Sequence, residues 1–148
     1  MGAAPKDRPG GRIRRGAWLY RALLLGVFAV GLYLTWTHYA AVPVGCPAPV
    51  AGVPVDCARV LDSSGGTVAG LPLALWGGLW AVAGWVVLRA GRVLRVLWAA
   101  FGFAGVAWGV GHEAALGAVC LWCTAMQVGI VITSLMQGVP ALAGERED

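Results

Sequence analysis

The segment AVCLWCTAMQVGIVITSLMQ, residues 118–137, decides the architecture of this chain. It opens on Cys120 and Cys123 in a C-x-x-C spacing and then runs to Gln137 without a charged residue. That is about the ~20 residues an α-helix needs to cross the hydrocarbon of a bilayer. Working back toward the N-terminus, residues 17–41, 71–89 and 93–112 offer three more stretches of the same kind. With 59% hydrophobic and only 12% charged residues in 148, an ordinary soluble fold is excluded. The expected fold is therefore an all-α membrane protein, a bundle of four transmembrane helices. The first apolar stretch exceeds the ~7 to 15 residues of a signal-peptide core, so it is read as a mature span. Residues 16–138 form the membrane domain on this reading, between a basic tail (1–15) and a short C-terminal tail (139–148), both expected to be poorly ordered.

Charge sets the expected orientation. Lys6, Arg8, Arg12, Arg14, Arg15 and Arg21 precede or enter the first span, and Arg89, Arg92 and Arg95 bracket the turn between the second and third. The segment 43–70 holds only Arg59, and the turn between the third and fourth spans holds no basic residue. Positive residues stay in the cytoplasm, which puts both termini inside and all four cysteines at the exoplasmic face of a multi-pass plasma-membrane protein. The formal charge of +4 is accounted for by these topological signals. No basic surface interleaved with aromatics points to nucleic acid.

The only long connection, between the first and second spans, carries Cys46 and Cys57 and is punctuated by Pro43, Pro47, Pro49 and Pro54. A loop of this length in so small a domain is usually functional. Asp56 can N-cap a short helix over 57–61, which would place Cys57 in a first turn, where the helix dipole favours a thiolate. Ser63-Ser64-Gly65-Gly66 then ends it, and Pro72 suits the first turn of the next span. Gly105 and Gly109 form a G-x-x-x-G pair, read as close helix packing. Trp36, Trp108 and Trp122 near the outer boundary, with Trp18 near the inner one, read as interfacial anchors, and a quinone ring could also stack on one or two of the outer group.

The cysteines point to redox chemistry. Residues i and i+3 of a helix share a face, so Cys120 and Cys123 can bond to each other or alternate as attacking and resolving thiols. Cys120 is expected nearer the surface and Cys123 about a turn deeper. Outside the cytoplasm an even set of cysteines cycles or stays oxidised. Three other readings stay open: a four-thiolate zinc site in a non-enzymatic membrane module, a pair of static disulfides, and free core cysteines. Zinc clips are usually shorter than the ten residues, 47–56, that separate the loop pair. His38 and His112 also fall near the outer boundary. Quinone reduction takes up protons that a histidine could supply, but capping a helix end is the simpler role for each.

These residues resemble the vitamin K epoxide reductase family in its bacterial form. The likeness rests on Cys46 and Cys57, Arg59-Val60-Leu61-Asp62-Ser63-Ser64, Gly66, Gly70-Leu71-Pro72-Leu73-Ala74-Leu75-Trp76-Gly77 and Cys120-Leu121-Trp122-Cys123, across about residues 17 to 137. The resemblance implies a thiol:quinone oxidoreductase supporting disulfide formation. A separate thioredoxin-like (DsbA-like) protein would reduce Cys46/Cys57, these would pass electrons to Cys120, and Cys123 would touch a quinone, menaquinone or ubiquinone. It also implies a site role for Ser63, six residues after the second loop cysteine, between loop and bundle. Gln127 stands where animal members carry a tyrosine, and the chain has no asparagine. Plain quinone reduction is the activity implied. An unrelated four-helix disulfide oxidase carries its C-x-x-C in the first outer loop, the reverse of the order here.

Overall fold

The computed structural model describes residues 9–47 and 51–143. In chain order the elements are α1 (Pro9–Ala40), α2 (Cys57–Leu61), a 3-10 turn (Ser64–Gly66), β1 (Thr67–Val68), β2 (Leu71–Pro72), α3 (Leu73–Val87), α4 (Arg92–Leu116) and α5 (Leu121–Ala143). Among the described residues three helices are long and apolar enough to cross a membrane, over Gly16–Ala40, Arg92–Leu116 and Leu121–Pro140, while α3 is a shorter apolar helix.

Several boundaries differ from the sequence expectation. Helix α1 begins at Pro9, so the later part of the stretch read as a tail is helical; residues 1–8 lie outside those described. Likewise α5 runs on through Pro140 to Ala143, and residues 144–148 lie outside. The second apolar stretch yields only 15 helical residues, or ~22 Å at ~1.5 Å per residue. Its first two residues are drawn into a hairpin instead, in which Val68 pairs with Leu71 and Thr67 with Pro72. The two turn residues, Ala69 and Gly70, both have positive φ (53° and 77°), as the favoured two-residue hairpin turn requires. Apolar Leu71-Pro72 reads like the start of a span, but proline ends the strand and leads directly into α3. Trp76 Nε1 donates to the Val68 carbonyl at 3.1 Å and ties the hairpin to α3.

Helix α1 packs against α3 and α5, and α4 against α5. The core between them includes Tyr20, Leu24, Leu34, Trp80, Ala81 and Ile130. In an apolar interior each polar atom needs a protein partner. Trp80 and Trp98 satisfy this reciprocally: each indole N–H donates to the other's carbonyl at 3.0 Å, with the rings stacked 4.0 Å apart. Tyr20 Oη donates to the Gly84 carbonyl at 3.2 Å, clasping α1 to α3. Large apolar side chains such as Leu25, Leu32, Leu97 and Ile132 stay exposed on the outer faces, the surface a hydrocarbon surrounding covers.

Gly31 of α1 lies against the backbone of α3: a Cβ there would come within 2.8 Å of the Ala74 carbonyl oxygen and 3.1 Å of Gly78 Cα. Backbone cannot step aside as a side chain can. Gly31→Ala is therefore expected to push α1 off α3 and to destabilise the bundle by about 1–3 kcal/mol. A thermal melt in detergent unchanged from wild type would show that α1 is free to shift. The expected G-x-x-x-G pair divides in its role: Gly109 abuts the Gln127 amide, while a Cβ on Gly105 would meet nothing within 4 Å.

Candidate functional site: a dithiol between a disulfide loop and an apolar cavity

The site begins with the loop after α1. Asp56 caps α2, its carboxylate accepting the Arg59 N–H at 3.0 Å, and so fixes Cys57 as the first residue of that helix. Cys57 is disulfide-bonded to Cys46, and its N–H also donates to the Cys46 sulfur at 3.0 Å. The loop is fastened onto the chain just before α5. Val55 and Val119 form a parallel bridge, with Val119 N–H donating to the Pro54 carbonyl at 2.9 Å and Asp56 N–H to the Val119 carbonyl at 3.1 Å. Trp122 adds a third fastening, its Nε1 donating to the Gly45 carbonyl at 3.1 Å while its ring tilts against Tyr33.

Beneath this cover lie the other two cysteines, both as free thiols. Cys120 precedes the first residue of α5, and its sulfur accepts the Cys123 N–H at 3.2 Å, as a capping oxygen would. It packs with Cys57, Val60 and Ala118 in a small buried cluster, with Cys46 and Cys123 at its edge. Cys120 is wholly buried and Cys123 partly exposed. The loop lies on Cys120, whereas Cys123 opens on a cavity. Hydrogen bonding from the Cys123 side chain, helped by N–H groups of the first turn, holds the Cys120 thiol below its ordinary pKa, against the opposing effect of burial.

The cavity has a volume of about 550 Å³ and an almost wholly apolar wall, including Leu34, Trp80, Phe101 and Met126. Cys123, His112, Glu113 and Gln127 are its polar contributors. Glu113 is buried and accepts the Cys120 N–H at 3.4 Å, so it also helps to hold the start of α5. Ser63 lies outside the cavity wall; its hydroxyl meets the Val60 carbonyl at 2.6 Å and His112 Nε2 at 2.5 Å. Trp108 stays mostly exposed but lines the cavity and donates to the Gly65 carbonyl at 3.3 Å, which makes it more than an interfacial anchor. His38 contacts Tyr39 edge-on and does not reach this cavity.

Sequence reasoning brought forward the four cysteines and Ser63, and it undervalued His112, Glu113 and Gln127. The available signal was the His112-Glu113 pair itself, two polar residues near the end of an otherwise apolar stretch.

Apolar membrane helices that hold a disulfide, a dithiol and an apolar cavity in sequence define a membrane protein suited to thiol redox chemistry. The chain belongs to the vitamin K epoxide reductase family, whose profile matches residues 18–137. The family is one of membrane oxidoreductases that are linked to quinones and thiol partners in general. No curated protein and no solved structure gave a significant match.

Proposed function

We propose that this protein is a membrane thiol:quinone oxidoreductase that supports disulfide formation. It has four spans on this reading, α3 with its flanking residues making the shortest, with both termini in the cytoplasm and the cysteines at the exoplasmic face. A thioredoxin-like protein of the secretory compartment gives up two thiols, and its own disulfide forms as Cys46–Cys57 is reduced. The loop dithiol then passes two electrons to a Cys120–Cys123 disulfide by thiolate exchange, and the loop is oxidised again. Oxidation of the Cys120/Cys123 pair finally delivers two electrons to the quinone, which takes up two protons and is the substrate that the cavity would take.

The observation that carries this reading is the placement of Cys120 and Cys123 on either side of one helix start. Cys120 packs with Cys57 under the loop, while Cys123 lines a cavity whose apolar wall suits a quinone ring. The direct test mixes the purified protein anaerobically with a reduced thioredoxin-like protein and a quinone. Quinone absorbance is expected to fall only when all three are present, and no change with any quinone would overturn the proposal.

Orientation is tested separately. After mild reduction of intact cells, an impermeant thiol reagent is expected to label Cys46 from outside. Labelling only once the inner face has been opened would reverse the topology.

A further inference from the structure

We propose that His112 donates a proton to the ring reduced in the cavity and that Ser63 holds it in position to do so, an inference that rests on the function proposed above. His112 lines the same cavity as Cys123. The Ser63 hydroxyl lies 2.6 Å from the Val60 carbonyl oxygen and 2.5 Å from His112 Nε2. A hydroxyl has one hydrogen, and a carbonyl can only accept. Were the hydrogen turned toward the imidazole, two oxygens would face each other at 2.6 Å with nothing between them. Ser63 therefore donates to Val60 and accepts from Nε2–H. Nε2 keeps its hydrogen in both charge states, so gain and loss of the proton take place at Nδ1, which has no hydrogen-bond partner among the described residues.

The surroundings are shaped for this ring. A Cβ on Gly65 would fall within the imidazole, so only glycine lets the turn close over it. The Gly65 carbonyl is in turn pinned by Trp108 Nε1 at 3.3 Å. The other ionisable groups on the cavity wall are Glu113, next to it on α4, and Cys123 on α5; the wall residues from α1 and α3 are all uncharged.

Proton balance gives His112 its task. Reduction of a quinone to a quinol takes two electrons and two protons. Both electrons leave the cysteine pair as the Cys120–Cys123 bond forms. A helix start favours the thiolate of its first cysteine, and a pair that enters in the thiolate–thiol form releases one proton, so a second must come from elsewhere. Imidazolium at His112 supplies it from Nδ1, becomes neutral, and is recharged from water on the outer side. Thiolate, thiol, imidazolium and quinone thus become disulfide, neutral imidazole and quinol, with charge and atoms conserved.

The test uses the full chain in detergent, a small dithiol as donor and a short-chain naphthoquinone as acceptor, with the rate followed against pH. Wild-type reduction is expected to slow as pH rises, since the step consumes a donated proton. His112→Gln keeps a hydrogen-bond donor for Ser63 but cannot titrate; it is expected to lower the rate about 10²-fold near pH 6 and to abolish this limb. Thiol exchange at Cys46–Cys57 with a reduced thioredoxin-like protein is expected to stay at the wild-type rate. Ser63→Ala is expected to lose about tenfold while keeping the limb, since the imidazole remains but is no longer oriented. Glu113→Gln is also expected to keep it. A His112→Gln rate within about twofold of wild type with the same pH profile would overturn the inference, as would a limb that disappears in Glu113→Gln and persists in His112→Gln. Wild-type protein that reduces no quinone would overturn the proposed function, and this inference with it.

Discussion

Cys123→Ser is expected to abolish quinone reduction whatever the electron donor, with a loss on the order of a thousandfold or more. Cys123 is the sulfur that opens on the cavity, and its partner Cys120 is shut beneath the loop. Cys120→Ser is expected to be as damaging for a different reason, since no disulfide can then form as electrons leave. The loop cysteines should behave otherwise. With a small permeable dithiol, Cys46→Ala and Cys57→Ala are expected to retain rates within about threefold of wild type, because such a donor can bypass the shuttle. With a thioredoxin-like protein as donor both should fail, as the buried Cys120 is out of reach of a protein surface. Steady-state quinone absorbance with the two donors in parallel decides the matter. Loop variants as dead as Cys123→Ser with every donor would show that the loop holds the bundle together and relays nothing.

The apolar periods of the sequence located α1, α4 and α5 because those helices are defined by an even property, hydropathy, over ~20 residues. They overestimated α3 because Leu71 and Pro72 are apolar whether they lie in a span or in a hairpin. The signal that separates these is the positive φ at Ala69 and Gly70, and Ala69 gives no hint of it in the sequence. Asp56 as a cap was legible, since its carboxylate acts within three residues. Which cysteine the loop would cover was not. That depends on the loop folding back to form a bridge between Val55 and Val119, a contact that spans the second and third apolar stretches. His112 was undervalued for the same reason: its partner Ser63 is distant in the chain, and only the fold brings the hydroxyl to the ring.

The contact between loop and helix can be caught chemically. Cys57, not Cys46, is expected to exchange with Cys120, because Cys57 is held at the start of α2 and shares a buried cluster with Cys120, while Cys46 packs only at the edge of that cluster. Thiol–disulfide exchange passes through a mixed disulfide that the spare cysteine of each pair resolves. In Cys46→Ala, the Cys57 thiolate attacks an oxidised Cys120–Cys123 pair, and no second loop thiol is present to complete the transfer. In Cys123→Ala, Cys120 attacks the Cys46–Cys57 bond and cannot be released toward the quinone. Each variant keeps one reverse route, through Cys123 in the first and Cys46 in the second, so accumulation should be partial in both. The double variant Cys46→Ala/Cys123→Ala has neither route, and mild oxidation should convert most of it to the Cys57–Cys120 species, read by mass spectrometry of non-reduced digests. A dominant Cys46–Cys120 bond in Cys57→Ala, faster to form than the Cys57–Cys120 bond in the double variant, would reverse the roles of the loop cysteines. Absence of any loop-to-helix bond in all of them would mean that Cys46–Cys57 is a static brace, and that the cover over Cys120 insulates the dithiol from the loop instead of feeding it.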